Sequence, residues 1–228
     1  DTFLSIASHE LKTPMSSLTL LLSGLLRTAR AGKLDQMSDG GIIARLERID
    51  EQADRLTALM NQLLDVSRLA AGRFALAPTD TDLTQVAREV LARFKEEASQ
   101  VGATLELAAP APVLGWWDGS RLDQVVTNLV TNALKYAGGC RITVEVGSDA
   151  TTARLSVTDR GPGIPEADQT RIFEQYERAA STNLGGLGLG LWLVRQLVRA
   201  HGGEVAVHSR PGQGATFIVT LPRRPGAG

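Results

Sequence analysis

The sequence predicts a helical hairpin followed by a mixed α/β domain. In the first 71 residues, apolar side chains recur at alternating spacings of three and four, the pattern of a coiled-coil seam. Beyond residue 80 this period ends, and short runs of alternating apolar and polar residues begin, as is typical of strands. A chain of 228 residues, 43% of them hydrophobic and 21% charged, has a globular composition that suits one large or two small domains.

The hairpin is predicted from two long amphipathic segments, residues 2–31 and about 42–71, joined by a polar, glycine-bearing loop over 31–41. The first segment repeats a leucine every seven residues, at Leu4, Leu11, Leu18 and Leu25. The second carries a seam made of Ile42, Leu46, Ile49, Ala53, Leu56, Met60 and Leu63. Because a hairpin buries only one face of each helix, we expect two copies to form a dimeric four-helix bundle. Packing of the hairpin against the rest of its own chain is the alternative.

The remainder of the chain predicts the α/β domain. Its predicted helices span residues 82–101, 119–137 and 187–201. Its predicted strands span residues 103–108, 140–147, 152–159, 203–209 and 215–222. The predicted boundaries are therefore 1–71 for the hairpin, 72–79 for a linker and 80–224 for the α/β domain.

Bulk properties exclude several classes of protein. A net charge of −1 argues against a nucleic-acid binder, which usually presents a basic face. No run of about 18 apolar residues exists, so we expect no membrane contact by this segment. One cysteine, Cys140, rules out an intrachain disulfide. The chain begins at Asp1 with neither a methionine nor a visible signal peptide, so we expect a cytoplasmic piece of a longer protein.

The stretch "FLSIASHELKTP" places an ionisable pair on the first helix. His9 falls at heptad position f, opposite the seam, where an imidazole nitrogen would face solvent as a competent nucleophile. Glu10 is adjacent and could hold the second ring nitrogen, while Thr13, one turn on, shares the face of His9. Pro14 cannot donate to the carbonyl of Glu10, which weakens the helix there. An ordinary surface histidine in a coiled coil remains the alternative for this stretch alone.

The helix "DQVVTNLVTNALKYA" (123–137) carries a polar face. Asn128, Asn132 and Lys135 lie at i, i+4 and i+7, on one side of a helix. Amide oxygens are suitable ligands for Mg²⁺, and a lysine one turn on can contact phosphate. A hydrogen-bonded asparagine pair that caps nearby loops is the alternative.

Two glycine-rich segments complete the pattern. In "VTDRGPGIP" (157–165), Asp159 can accept a hydrogen bond from an exocyclic amine, while Gly161 and Gly163 would let the backbone approach a flat base. A common Asp-Gly turn is the alternative. "GGLGLGLWL" (185–193) opens a helix whose first N–H groups suit phosphate. It lacks the spacing of a Rossmann fingerprint, and the chain contains no P-loop pattern.

In this order and at these spacings, the segments resemble the sensor histidine kinases of bacterial two-component systems over residues 3–222. "SHELKTP" resembles the H-box of the HisKA dimerisation and phosphotransfer domain. The two segments just described, the asparagine helix and "RIFEQYERA" (171–179) resemble the G1, G2, N and F boxes of the GHKL ATP-binding domain. The resemblance implies the α/β sandwich of the Bergerat fold for the second domain.

The resemblance also implies roles for the residues of the transfer chemistry. His9 would be the phosphorylated residue, Glu10 its acid–base partner, and Thr13 would serve in dephosphorylating the partner regulator. Arg178 could stabilise charge on the transferring phosphate. Glu177 stands where the family more often has an aromatic residue, which places the packing of the ATP lid in question.

For the nucleotide, the resemblance implies ATP with Mg²⁺. Asn132 would be the metal ligand, with Asn128 as its polar neighbour, Lys135 as a phosphate contact and Tyr136 as a ring packed on the nucleotide. Asp159 would read the adenine amino group, which selects ATP over GTP. The remaining implied positions are the lid anchor and the glycines of the two boxes: Phe173, Gly161, Gly163, Gly186, Gly188 and Gly190.

The activity implied is transfer of a phosphoryl group from ATP to His9 and then to an aspartate of a response regulator, within a homodimer. The sensor region is absent from this segment, and it is where the full-length protein could carry a membrane anchor. Three alternatives stay open. They are an enzyme that acts mainly as a phosphatase, a dimeric ATP-binding scaffold without catalysis, and another GHKL ATPase, although such ATPases lack a histidine-bearing hairpin upstream.

Overall fold

A computed structural model describes residues 2–32, 39–70, 75–137, 139–175 and 188–224. The chain divides into two compact units, residues 1–74 and residues 75–228. No helix within the described ranges combines the length and the apolarity needed to cross a membrane.

The first unit is the predicted helical hairpin. Helix α1 spans Thr2–Arg30, helix α2 spans Asp39–Ala70, and the two helices pack on each other. The helix prediction is confirmed, with α2 starting three residues earlier than expected. Most of the predicted loop, residues 33–38, lies outside the described residues.

The hairpin seam differs in part from the predicted one. With Leu11 of α1 and Ile42 of α2 at heptad position a, the leucine, isoleucine and valine side chains that are buried or half-buried fall at positions a and d of both helices. Leu46 and Met60 were predicted to lie in this seam, yet they are 50% and 52% exposed. That part of the prediction is wrong because both lie at position e, beside the seam, whereas Leu59 and Val66 at position d are buried.

The hairpin exposes one apolar face. Its members are large apolar residues at positions b and e of the two helices, and they are Met15, Leu22, Leu26, Ile43, Leu46, Met60 and Leu64. In an antiparallel helix pair the e positions of both helices lie along the same edge, so these side chains form a continuous apolar surface, hereafter the b/e face. Leu20, which is 75% exposed, lies at position c and is not part of this face.

The second unit is built on a mixed sheet. Its strands are β1 (Thr79–Asp82), β2 (Thr104–Ala108), β3 (Leu114–Trp117), β4 (Arg141–Ser148), β5 (Thr152–Thr158), β6 (Glu204–Ser209) and β7 (Ala215–Pro222). Five strands form one sheet in the order β2-β4-β5-β7-β6, in which only the β2–β4 pair is parallel. Strands β1 and β3 form a separate antiparallel ribbon.

Helices cover one face of this sheet. They are α3 (Leu83–Arg93), α4 (Lys95–Gln100), α5 (Gly119–Ala137) and α7 (Gly190–Ala200), whereas the short helix α6 (Glu166–Gln169) and a 3₁₀ turn at Arg171–Phe173 follow β5. Strand β7 shows the layering, because Phe217 and Val219 are buried while Thr216 and Ile218 on the other face are only half-buried. Leu129 of α5 and Leu197 of α7 are fully buried from the helical side. The predicted α/β sandwich is confirmed.

Three details of this unit differ from the sequence prediction. The predicted helix 82–101 is two helices separated at Phe94, and its apolar period runs unbroken across the junction, so the pattern contained no signal of a break. Strands β1 and β3 were missed because each has only four residues, and β1 has no apolar residue. Strand β1 begins at Thr79, inside the segment predicted as a linker.

Candidate functional site

The backbone of His9 and Glu10 lies within α1, and the side chains of both lie outside the described part of the chain. Thr13, one turn later, has an exposed side chain. The helix continues through Pro14, which is buried and leaves the carbonyl of Glu10 without its usual N–H donor. The histidine therefore stands on a continuous helix that contains one locally weakened turn.

Asn128, Asn132 and Lys135 share one side of α5, and buried Val126 and Val130 lie on the opposite side. Asn128 is 9% exposed, and its Nδ2 donates to the carbonyl of Gln124 over 2.9 Å. Asn132, one turn on, is half-buried and has no hydrogen-bond partner among the described residues. Its amide oxygen is therefore available to a ligand.

The last turn of α5 places Lys135 and Tyr136 beside each other, both half-buried. The Lys135 Nζ lies 5.0 Å from the centroid of the Tyr136 ring, within the range of a cation–π interaction. The carbonyl of Tyr136 also meets the loop after β5, because a Cβ on Gly161 would lie 2.8 Å from that oxygen. Only glycine allows the loop this close to α5.

Asp159 follows β5 and is 6% exposed. Its Oδ1 accepts hydrogen bonds from the backbone N–H of Gly161 over 2.7 Å and of Ala215 over 3.3 Å. Burial raises the pKa of Asp159, and these two hydrogen bonds oppose the rise only in part. The other oxygen, Oδ2, has no partner among the described residues. One carboxylate oxygen is thus fixed by the backbone and the other is an available acceptor.

The start of α7 faces the asparagines of α5. A Cβ on Gly190 would lie 3.1 Å from the Oδ1 of Asn128, tighter than an ordinary contact. No side chain caps the first turn of α7, and no acidic residue lies in that turn. Its first N–H groups therefore stand beside the polar face of α5, with the positive end of the helix dipole. Gly188, two residues earlier, has a φ of +65°.

Phe173 anchors the end of the described range 139–175. Its ring is buried and packs edge-on against Phe217 of β7, with centroids 6.2 Å apart and planes at 83°. Arg178 and Gly186, two further residues of the predicted site, lie outside the described residues. Gly163 has a φ of +72° and approaches the carbonyl of Arg210, so its backbone faces the β6–β7 turn.

Three contacts bring the predicted residues to one corner of the second unit. Gly190 meets Asn128, Gly161 meets Tyr136, and Asp159 is held by its loop and by β7. The corner offers an amide oxygen, a carboxylate acceptor and helix N–H donors. The described residues contain no group of three or more His, Cys, Asp or Glu side chains that could hold a metal ion. Any metal here would need other oxygen ligands, such as phosphate and water.

The structure adds residues that sequence reasoning did not select. Asp118 caps α5, since its Oδ1 accepts from the N–H groups of Ser120 and Arg121 and its Oδ2 accepts from the N–H of Ala77. Its own N–H donates to the Nε2 of His201 over 3.1 Å. These contacts fix the start of α5 against the end of α7. The sequence Asp-Gly-Ser before a helix predicts such a cap. The hydrogen bond to His201, 83 residues later, has no local sequence pattern that could predict it.

His201 is held as a neutral imidazole. Its Nδ1 lies 2.8 Å from the carbonyl of Leu197, which requires a proton on Nδ1, while Nε2 accepts from Asp118. Burial lowers the pKa of His201, and the Leu197 carbonyl and the Asp118 charge oppose this in part. At Asp118 the hydrogen bonds outweigh burial. Burial alone would raise the pKa of its carboxyl, but the hydrogen bonds from Ala77, Ser120 and Arg121 lower this pKa overall.

Two family models match the chain. The model described as "His Kinase A (phospho-acceptor) domain" matches residues 1–72. The model described as "Histidine kinase-, DNA gyrase B-, and HSP90-like ATPase" matches residues 117–225. The first includes His9 and the hairpin, and the second includes α5, the Asp159 loop and α7.

Curated relatives and a solved structure are similar over long stretches. The alginate biosynthesis sensor protein KinB of Pseudomonas aeruginosa is 36% identical over 96% of this chain and 36% of its own length. The sensor-like histidine kinase SenX3 of Mycobacterium tuberculosis is 32% identical over 96% of this chain and 53% of its own length. The chain therefore spans between a third and about half of these relatives. The solved structure of the mycobacterial sensor histidine kinase MprB is 33% identical, with a TM-score of 0.59, over 64% of this chain and 99% of that one.

Proposed function

Because the chain belongs to the sensor histidine kinases of two-component systems, we propose that it is an ATP-dependent protein kinase that phosphorylates its own His9. The phosphoryl group then passes to an aspartate of a response regulator. The proposed domains are residues 1–71 for dimerisation and phosphotransfer, 72–79 for the linker and 80–224 for ATP binding. The observation that carries the nucleotide half of this proposal is the available Oδ2 of buried Asp159 beside the polar face of α5.

The carboxylate of Asp159 favours ATP over GTP. An ionised Oδ2 accepts the hydrogen bond of the 6-amino group of adenine, whereas the 6-oxo group of guanine would place an acceptor against an acceptor. The close approach at Gly161 brings the loop against Tyr136, whose ring would pack on the nucleotide. Lys135, the backbone of Gly188 and the first N–H groups of α7, which begins at Gly190, would meet the phosphates.

The proposed metal is Mg²⁺, held by the amide oxygen of Asn132. This residue fits the role because it is half-buried, has no hydrogen-bond partner among the described residues and adds no charge. Asn128 would support it from the previous turn, with its Nδ2 already committed to Gln124. Mg²⁺ would supply charge neutralisation at the phosphates.

In the proposed reaction, an imidazole nitrogen of His9 attacks the γ-phosphorus of ATP, and the bond to the β–γ bridging oxygen breaks to release ADP. Glu10 takes the proton that the attacking ring gives up, and Arg178 stabilises charge on the transferring group. Phe173 would hold the lid segment through its contact with Phe217. Thr13, exposed one turn from His9, is proposed to act when the regulator is dephosphorylated.

We propose that the b/e face is the dimer interface. Seven large apolar side chains would otherwise lie in water on one side of a single hairpin. A second copy related by twofold symmetry covers this face with the same face, which yields a four-helix bundle. Position f, which His9 occupies, stays on the outer side of the bundle, where a regulator can reach it.

Incubation with γ-labelled ATP and Mg²⁺ tests the proposed activity, with His9→Gln as the matched variant. Label that is labile in acid and stable in alkali should appear on the wild type and be absent from the variant. If the wild type binds ATP but takes up no label, the kinase proposal is wrong. Loss of phosphate from a phosphorylated regulator would then separate a phosphatase from a scaffold.

A further inference from the structure

We propose that the turn between β6 and β7, residues 209–214 and hereafter the clamp turn, is a positioning element that sets the base selectivity of Asp159. This inference rests on the proposed role of Asp159 in reading adenine. None of the residues of the clamp turn belongs to the predicted nucleotide site. The clamp turn contacts the loop that follows β5 at several points.

The first contact is made by Ala215, directly after the clamp turn. Its N–H donates to the Oδ1 of Asp159 over 3.3 Å, and its carbonyl accepts from the N–H of Asp159 over 2.9 Å. The same residue thus holds both the backbone and the side chain of Asp159. A shift of Ala215 would rotate the carboxylate and move Oδ2, the oxygen left for a base.

The second contact is a reciprocal pair of close approaches. A Cβ on Gly214 would overlap the carbonyl oxygen of Asp159, and a Cβ on Gly163 would overlap the carbonyl oxygen of Arg210. Both glycines have positive φ, +76° and +72°, which other residues rarely adopt. The clamp turn and the Asp159 loop are therefore pressed together backbone to backbone at two points.

Hydrogen bonds lock this arrangement. The Ser209 hydroxyl accepts from the N–H of Ile164 over 2.8 Å and donates to the carbonyl of Gly214 over 2.6 Å, so one side chain ties the loop to the turn. The Nε2 of Gln169 donates to the carbonyls of Ile164 and Ser209 over 3.0 and 2.9 Å. The N–H of Gly212 donates to the carbonyl of Pro162 over 2.7 Å.

The other side of the clamp turn is open to solvent. An open pocket of about 340 Å³ lies beside the clamp turn, lined by Gln169, Arg210, Gln213 and Thr216 among others. Because this side is open, we expect the turn to shift when the hydrogen bonds of Ser209 or Gln169 are removed. Replacing Ser209 or Gln169 should therefore alter the direction of the Oδ2 of Asp159, while the phosphate-facing residues of α5 and α7 stay in place.

The test compares Ser209→Ala with Ser209→Thr, which keeps the hydroxyl, and with Thr220→Ala as the matched control. Thr220 lies on the outer face of β7 and has no side-chain hydrogen bond among the described residues. Calorimetry on the full chain measures Kd for ADP and for inosine diphosphate, which carries a 6-oxo group in place of the 6-amino group. We expect Ser209→Ala to lower the preference for ADP by about fivefold or more. Ser209→Thr and Thr220→Ala should keep it.

Gln169→Ala is the second variant, and it should lower the same preference because it frees both Ile164 and Ser209. Equal weakening of both nucleotides in Ser209→Ala and Gln169→Ala, with an unchanged ratio, would show a purely structural role and overturn the proposal. If the wild type itself shows no preference for ADP, the role of Asp159 as a reader of adenine fails first. The two failures are distinguishable because the first leaves the wild-type preference intact.

Discussion

Replacing Asp159 with Asn should reverse the base preference of the nucleotide site. The two side chains have nearly the same shape, and the backbone decides how the amide sits. Because the N–H groups of Gly161 and Ala215 both point at Oδ1, at 2.7 and 3.3 Å, the amide oxygen must take that position. The Nδ2 group then takes the place of Oδ2 and presents donors where the wild type presents an acceptor.

The size of the effect follows from the two changes at this atom. The variant loses a hydrogen bond to a charged acceptor, worth about 1.5–3 kcal/mol, and leaves a buried N–H donor facing the adenine amino group at a further cost of about 1–3 kcal/mol. The two costs add up to about 2.5–6 kcal/mol, so the Kd for ADP should rise by about 70-fold at the least. Inosine diphosphate, whose 6-oxo group accepts from Nδ2, should lose much less.

Calorimetry with both nucleotides on the wild type and on Asp159→Asn is the assay, and thermal melting confirms that the variant is folded. An ADP affinity within about threefold of the wild type would refute the reasoning, and so would equal losses for both nucleotides. The pH dependence of ADP binding is a second test. Because burial raises the pKa of Asp159, the wild-type affinity for ADP should start to fall at a higher pH than an ordinary aspartate would allow. The Asn variant should lack this dependence.

Two further predictions concern the hairpin and His201. The double substitution Leu22→Glu and Leu46→Glu on the b/e face should weaken dimerisation by about 100-fold or more in sedimentation equilibrium, since each charge is buried twice in a symmetric interface. Leu20→Glu, at position c, should leave the dimer intact, and equal effects would contradict the assigned face. Burial lowers the pKa of His201 in the folded chain, so the unfolded chain binds a proton more readily. This residue therefore contributes stability that is present above a pH of about 6.5 and is lost as the pH falls below that value, through the lowered pKa of the folded state. Urea unfolding at several pH values measures this effect. The variant His201→Asn should have a free energy of unfolding about 1 kcal/mol below that of the wild type at pH 8, and that free energy should depend less on acid. The control His208→Gln, at an exposed position, should behave like the wild type.

Much of the fold could be predicted because helices and strands leave local periods in the sequence. The prediction for β7 coincides with the observed strand Ala215–Pro222, and the one for α5 coincides with Gly119–Ala137. The polar face of α5 could also be read, since residues at i and i+4 share a face whatever surrounds the helix. The split at Phe94 and the strand β1 were not predicted, because neither changes the local pattern of apolar residues.

The hairpin shows what local sequence patterns cannot predict. The seven-residue repeat identified both helices, but it could not separate side chains that pack within one hairpin from those left for a second copy. Leu46 and Leu59 are both apolar and fit a heptad, yet one is half exposed and the other is buried. Their difference depends on the rotation of α2 against α1, which is a property of the packed pair.

Local patterns in the sequence were enough to predict the two-part architecture, most of the helices and strands, and the residue types available for chemistry. The sequence placed an acceptor at Asp159 and amides at Asn128 and Asn132. The pairing of distant strands adds a second donor to the committed oxygen of Asp159, because Ala215 is 56 residues away along the chain, whereas the first donor, Gly161, is a near neighbour. Local periodicity records the interactions of near neighbours, whereas the polarity of a site depends on contacts that form only when distant strands pair.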